Sequence, residues 1–449
     1  MNLKEESDIF RNNRRLKIHN KKEVIQNETD EREAVMLKLM VIADDFTGAL
    51  DTGVQFAAEG IETRVIINVN ADLKEIALDA EVLVLDAETR HLSGEEAYRV
   101  VFETVKRACE MKVPYIYKKT DSALRGNVGI ELNAVLDATK VRSLHFFSAF
   151  PKMNRITKNG IHYIDGIPVH ESVFGRDPFE PVKSSSVKEL LSEKAPVTCV
   201  GKMDCWKPEP GIMVYDTSRD EEFMEKGQFL KEKDEIRVTA GCAGFAGVLS
   251  KLIGLGGRKK ERTWSGNRLF MACGSVNPIT RAQVNYGEKC GFYRIRMAPE
   301  QKLDTNFYKS KMGRHLLETW CGIAKENPRC ILDTNDLEGS TATMDYARSQ
   351  QLSVEDVRVR ISTTLGYILK ELIFMGLEGT LMVVGGDCLF GFIKQVGVEV
   401  IIPINEVAPG AVLFQVSVGQ KVFNVISKSG GFGEEDLLER LISSMIEIG

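Results

Sequence analysis

The chain has 449 residues, enough for two or three domains at roughly 100–200 residues each. It is 43% hydrophobic and 27% charged with a net charge of −5, an ordinary globular balance that offers no basic surface for nucleic acid or an anionic membrane. No run approaches the ~18 apolar residues of a membrane span, no secretory signal is expected at the N-terminus, and the nine cysteines and six histidines show neither a C-x-x-C pair nor metal-ligand spacing, so zinc is not expected and a reducing, cytoplasmic setting is.

Residues 1–35 carry eight Lys/Arg and eight Asp/Glu with few periodic apolar positions, and read as a disordered or weakly helical extension. Residues 36–253 show a βα rhythm. Leu39–Ile42 is a continuous apolar run, as expected of a strand buried on both faces. Asp44 and Asp45 come directly after it, then Thr47-Gly48 and a helical pattern that stops at Gly60. Such a pair has a plain alternative reading, one Asp capping the helix and the other solvated. Further strands are predicted at Thr63–Ile67, Val82–Leu85, Tyr115–Tyr117 and Leu144–Ser148, with helices over Thr47–Glu59, Gly94–Met111 and Asn127–Ala138. Alternation of this kind predicts a parallel, doubly wound sheet.

The residues just past each strand carry the chemistry. Asp86, Glu88 and Arg90 come after the third strand; Lys118, Lys119, Asp121, Ser122 and Arg125 come after the fourth. In a parallel sheet these ends share one edge, where open α/β sheets bind ligands. Residues 161–169 alternate around Asp165-Gly166, a hairpin signal and a candidate flap over that edge. A strand at Ile212–Tyr215 and the small-residue run 239–246 complete the domain, the latter suited to close packing or backbone approach to a ligand. Residues 254–267 are Gly-rich and basic and read as a linker.

Residues 268–449 form the second α/β domain. Strands are expected at Leu269–Cys273, Cys330–Leu332, Leu381–Val384, Val412–Val416 and Lys421–Ile426, with a long helix over Val354–Met375 and a closing helix over Glu435–Ile448. Three glycine turns come directly after strands: Gly274-Ser275, Gly385-Gly386-Asp387 and Gly430-Gly431-Phe432-Gly433. Glycine lets the backbone approach an anion, and free N–H groups at a helix start point at it. The P-loop pattern, the dinucleotide fingerprint and the protein-kinase set are all absent. One edge of mixed charge and another of phosphate cradles suit phosphoryl transfer. On this reading Lys119 and Arg125 are candidates to hold a substrate carboxylate, Asp44 or Asp45 to accept a hydroxyl proton, and Asp387 to hold Mg²⁺.

The stretches IADDFTGALDTGVQFA (42–57), KKTDSALRGNVGIEL (118–132), IDGIPVHESVFGRDPFEPVKSS (164–185), CGSVNPITRAQV (273–284), VVGGDC (383–388), EVAPGAV (406–412) and SKSGGFGEEDLL (427–438) occur in this order. With them the chain resembles the four-carbon acid sugar kinase family, which includes 3-oxo-tetronate, D-threonate and D-erythronate kinases. The resemblance implies an N-terminal acid-sugar-binding domain and a C-terminal nucleotide-binding domain that uses ATP. It places Asp45, Arg90, Lys119, Thr120, Asp121 and Ser122 on the substrate side with Arg125 close by. It places Ser275, Gly385, Gly386, Asp387, Cys388 and the Gly430, Gly431, Gly433 loop on the ATP side. Arg90 is then expected to pair the substrate carboxylate bidentately, Asp45 to act as base and Asp44 to orient the loop. Cys388 stands where the family more often has Thr, Ala123 where Thr is common, and Asn154 and Ile156 interrupt a frequent Gly-Arg-Thr.

The fold expected is α/β, two doubly wound α/β domains with an active-site cleft between them. The function expected is an ATP- and Mg²⁺-dependent kinase of a short sugar acid, with that small molecule as partner and no nucleic acid or membrane; a homodimer is compatible with the sequence. The alternative is a non-catalytic sensor that binds sugar acid and nucleotide on the same fold, with Cys388 as its clue. A hydroxy-acid dehydrogenase, which would bind NAD(H), is a third reading.

Overall fold

Strand β1 (Leu39–Ala43) is buried along its whole length, and its alternate side chains feed two cores. Leu39, Val41 and Ala43 join one cluster and Met40 and Ile42 the other, which is why the strand reads as a continuous apolar run. In the computed structural model, residues 36–177, 180–192, 194–204, 206–257 and 266–446 are described. The extension read at 1–35 and the basic part of the expected linker lie outside the described residues.

The N-terminal half adds β2 (Thr63–Ile66), β3 (Val82–Asp86), β4 (Tyr115–Lys119), β5 (Ser143–Phe147), a small antiparallel sheet of β6 (Arg155–Lys158), β7 (Ile161–Ile164) and β8 (Ile167–Pro168), then β9 (Val197–Val200), β10 (Gly211–Tyr215) and β11 (Val238–Gly241). Its main-sheet strands are parallel in the order β2-β3-β1-β4-β11-β5-β10-β9. The connection after β1 runs toward one edge, to β2, and that after β3 toward the other, to β4. A crevice therefore opens at the carboxyl ends of β1, β3 and β4. The small-residue run 239–246 proves to contain a central strand, β11. Ala240 and Gly241 have weak β propensity, but burial between β4 and β5 decides the matter.

The C-terminal half contributes β12 (Leu269–Cys273), β13 (Tyr293–Arg296), β14 (Arg329–Asp333), β15 (Thr380–Val384), β16 (Val400–Ala408), β17 (Ala411–Val418) and β18 (Lys421–Lys428). Here β13-β14-β12-β15-β18 are parallel, and the order in which strands are added switches sides between β12 and β15. The long helix is Val354–Phe374 and the closing helix Leu437–Ile446. No described helix is long and apolar enough to cross a membrane.

The two halves share one sheet of 15 strands, through a seam that the sequence pattern did not reveal. β16 pairs antiparallel with both β17 and β2, setting Val400 opposite Ile66 and Ile401 opposite Val65. Pro403 disguises β16, because proline argues against a strand interior; it sits beside a register shift, where a missing N–H is tolerated. The antiparallel β16-β17-β18 meander leaves the two parallel blocks running in opposite directions. Six strand-to-strand steps separate β1 from β15. At roughly 20–25° per step the sheet turns through about 120–150° between them, which nearly cancels that reversal. Both carboxyl edges thus come to the same side.

Ile401 is fully buried in the core cluster that spans both halves. Ile401→Ala is expected to lower the unfolding free energy by about 2–5 kcal/mol in urea titrations. A loss under about 1 kcal/mol would show that the seam is not part of the core.

Candidate active site between two helix N-termini

At the N-terminal edge, Asp44 and Asp45 close β1 and open the helix Phe46–Ala58. Asp45 is that helix's N-cap, its Oδ1 accepting from Gly48 N at 3.0 Å, so the capping role open in the sequence is real. It is not the whole role. Arg90 donates through Nε to Asp44 Oδ2 at 3.0 Å, lies 2.9 Å from it through Nη2, and reaches Asp45 Oδ2 at 2.9 Å through Nη1. Its Nη2 also stands 3.7 Å from Asp121 Oδ1. Most N–H groups of the Arg90 fork are thus engaged by the chain's own carboxylates. The bidentate grip on a substrate carboxylate expected of Arg90 has no free fork here; the guanidinium instead gathers three strand-end acids into one cluster.

Arg125 clamps Asp121 in turn, through Nε at 2.9 Å and Nη2 at 3.1 Å, and reaches Asp177 at 3.4 Å. Lys119 Nζ donates to the carbonyl of Thr120 and lies 3.9 Å from Asp44 Oδ1. Lys118, by contrast, is sequestered beneath the site in a buried pair with Glu131 at 2.9 Å. Burial works against ionisation of Asp44, but Arg90 first, then Lys119 and Lys118, hold its carboxyl below the usual range. Asp121 is likewise buried, and the hydrogen bonds from Arg125 with the charge of Arg90 pull it well below. Burial pushes Asp45 the other way despite Arg90, so of the adjacent pair Asp45 takes a proton first. Asp44 Oδ1 and the Thr120 hydroxyl are buried with no hydrogen-bond partner among the described residues, open valences that suit a polar ligand.

The expected flap exists. β6, β7 and β8 carry it, with Asp165-Gly166 at the predicted turn. His162 Nε2 meets the Ser122 carbonyl at 2.9 Å, and Arg155 hydrogen-bonds the Ser122 hydroxyl. Phe174 presents its ring to both Arg125 and Arg155, each 5.2 Å from the centroid. Asn154 is in the left-handed region at φ 53°, which Gly and Asn both adopt, so this departure from the family pattern is conformationally mild. Arg155, Phe174 and Asp177 are site neighbours that strand-end reasoning missed, because they sit on the flap.

At the second edge the three glycine turns converge. A methyl group on Gly430 would come within 2.4 Å of Ser275 Oγ, and one on Gly431 within 3.5 Å of Asn277 Nδ2. Gly385, at φ 107°, opens the helix Gly386–Val396, while Gly433 lies at φ 83° beside Gln283. Lys428 is buried under the loop, donating to Thr280 Oγ1 at 3.2 Å and the Ser429 carbonyl at 3.0 Å. Burial lowers it to about 8, and among the described residues no carboxylate acts against that shift. Its place in the Ser427–Gly433 turn was legible, its role was not. Cys388 packs its thiol on Gly274, buried and pushed up to about 12 by burial and Asp387. A side chain at this position faces the core.

The two edges meet. A methyl group on Gly386 would stand 3.2 Å from the Thr47 hydroxyl, and the rings of Phe46 and Phe390 lie 5.8 Å apart. The N-termini of the helices Phe46–Ala58 and Gly386–Val396 therefore face each other, both positive ends directed at one gap. Asp387 is exposed and lies 2.7 Å from Arg358 Nη1. No group of three or more His, Cys, Asp or Glu side chains is arranged to hold a metal among the described residues. This donor set fits a cation that arrives on a polyphosphate, not one caged by protein alone.

A sheet edge of mixed charge opposite a glycine edge defines a two-part ligand-binding protein, and known proteins agree. Residues 39–248 match the model of a sugar-binding N-terminal domain and residues 270–438 that of a nucleotide-binding C-terminal domain. A D-threonate kinase of Salmonella typhimurium is 27% identical over 90% of this chain and 97% of its own length. A D-erythronate kinase of Heliobacterium modesticaldum is 26% identical over 89% and 95%, and a 3-oxo-tetronate kinase of Escherichia coli 24% identical over 80% and 95%. Crystal structures from Salmonella typhimurium and Haemophilus influenzae share the fold with TM-scores of 0.75 and 0.71, at 18% and 19% identity, each over 90% of this chain and 99% of theirs. The chain belongs to the four-carbon acid sugar kinase family.

Arg90→Ala strands Asp44 and Asp121 in the interior, and is expected to lower stability at pH 7 by about 3–5 kcal/mol. A carboxyl held low in the folded state contributes stability above its unfolded value, near 4, and loses it as pH falls. The gap between wild type and variant, read by urea unfolding at pH 7 and again near pH 3, is therefore expected to shrink at the lower pH. An equal gap at both would show that packing and not charge sets the loss.

Proposed function

We propose that this kinase transfers the γ-phosphoryl group of ATP to a hydroxyl of a four-carbon or similar short sugar acid, such as a tetronate or 3-oxo-tetronate. One observation carries the reading: the acid-and-base cluster and the glycine cradle face each other across the Thr47–Gly386 contact. The names of the relatives support the substrate class. In this reading the sugar acid sits at the N-terminal edge. Lys119, Ser122 and the N–H groups of Arg125 beyond its Asp121 and Asp177 bonds hold its carboxylate, while Asp44, Asp45 and Thr120 accept or donate to its hydroxyls.

The triphosphate sits at the glycine edge. Ser275, the Gly385-Gly386 helix start and the Gly430–Gly433 loop cradle it, with Lys428 supplying positive charge from beneath. A Mg²⁺ ion carried on the triphosphate would neutralise its charge, and Asp387, now paired with Arg358, is the carboxylate that would help hold it. The protein's own contribution is alignment and charge stabilisation, the two demands of phosphoryl transfer. The sensor reading draws no support from Cys388, whose thiol is buried against Gly274 and Gly385 and does not stand exposed to a ligand.

A coupled ADP-release assay with ATP across D-threonate, D-erythronate, L-threonate and 3-oxo-tetronates is expected to show acid-dependent turnover on at least one. No turnover on any, by folded protein that binds ATP, would contradict the reading. Gly430→Val fills the space beside Ser275. It is expected to weaken nucleotide binding by at least about tenfold, or ~1.4 kcal/mol, in calorimetry. Binding of the sugar acid is expected to be unchanged; equal weakening of both ligands would refute a cradle specific to the nucleotide.

A further inference from the structure

We propose that Asp51 is the general base of the transfer, the group that takes the proton from the substrate hydroxyl. The inference rests on the kinase reading above and goes beyond it in naming the base. In the step, the hydroxyl O–H bond breaks and its proton passes to the Asp51 carboxylate. The freed oxygen forms a bond to the γ-phosphorus of the nucleoside triphosphate. The bond from that phosphorus to the β,γ-bridging oxygen breaks, and the nucleoside diphosphate leaves with the electron pair. Asp51 then releases its proton to solvent, to which its side chain is open.

Three observations place Asp51 there. It lies one helical turn beyond Thr47, so the two share a face of the Phe46–Ala58 helix, and Thr47 is the residue that meets Gly386. Its carboxylate is uncommitted. Asp44, Asp45 and Asp121 are tied to Arg90 or Arg125, and Glu88 Oε1 accepts from Phe46 N at 3.0 Å. Of the acids around the gap, Asp51 and Glu180 alone make no side-chain hydrogen bond or ion pair among the described residues, and Glu180 stands on the flap under the charges of Arg90 and Arg125. Asp45, by contrast, has one oxygen capping the helix and the other on Arg90, which leaves it poorly placed to accept a substrate proton. Finally, the charges that act on Asp51 come from both halves: Lys119 on β4, Asp45 at the helix cap and Glu406 on β16. Asp51 lines the gap, so its side chain meets solvent on one side while protein from both halves crowds it on the others; that crowding, with Asp45 and Glu406 acting against Lys119, raises its carboxyl to about 7, the range in which a base works at neutral pH.

Wild-type turnover on the tetronate panel is measured first and tests the kinase reading by itself. On the acid that turns over, Asp51→Asn is expected to lower kcat by about 10²–10⁴-fold while nucleotide and acid Kd stay within about twofold. Because the base acts as the carboxylate, wild-type kcat/KM is expected to rise with pH and level off above about 7, and this inflection is expected to vanish in the variant. Glu180→Gln is expected to keep kcat. Wild-type kcat in Asp51→Asn, an inflection that persists in its residual activity, or a loss found in Glu180→Gln instead would each overturn the assignment.

Discussion

The contact between the starts of two helices governs this structure. Thr47 and Gly386 are close enough that no side chain fits between them on the glycine side without displacing the hydroxyl. A side chain at 386 would push the Thr47 hydroxyl aside by a few tenths of an ångström, so glycine there eases the approach of the two helices. That approach sets the arrangement on either side of it. The first helix brings its Asp45 cap and, behind it, the Arg90 cluster; the second brings the Gly385-Gly386 turn and, beside it, Ser275 and Gly430. Two parallel blocks of opposite strand direction can present both carboxyl edges to one gap only because the sheet twists across the β16-β17-β18 meander.

Within that frame the electrostatics are unusually concentrated. Three aspartates from the ends of two strands, β1 and β4, share one guanidinium, and a second guanidinium holds Asp121 from the other side. Buried ion pairs of this kind add little net stability over apolar packing, but losing one partner is costly. Their value here is positional. Arg90 fixes where the Asp44 and Asp121 oxygens point before any ligand arrives, and charge prearranged in this way need not reorganise during reaction.

Much of this was legible in the sequence, for physical reasons. Apolar runs ending in charge mark buried parallel strands and their carboxyl edge, so Asp44, Asp45, Arg90, Lys119, Asp121, Ser122 and Arg125 were found together, as were the three glycine turns. How a charge at a strand end pairs with its neighbours was not legible. Arg90 looked free for a substrate carboxylate, yet its partners lie 31 to 46 positions away in the chain. Asp387 looked free for a metal, yet Arg358, in an amphipathic helix with no local signal, reaches it. β16 was hidden by Pro403, and with it the seam that orients the halves. Asp51 lay inside a recognised motif, but only the approach of the second helix distinguishes it from any polar residue on a helix face.

In the proposed reaction, sugar acid and nucleotide phosphates occupy the two sides of the Thr47–Gly386 gap at the same time. Paramagnetic broadening tests it directly. Manganese bound to a non-hydrolysable ATP analogue is added to the protein saturated with a ¹³C-labelled tetronate that turns over. Strong, site-specific broadening of the bound acid's carbon resonances is expected, greatest at the carbon bearing the accepting hydroxyl. Resonances left sharp, with both ligands bound, would place the two sites apart and contradict it.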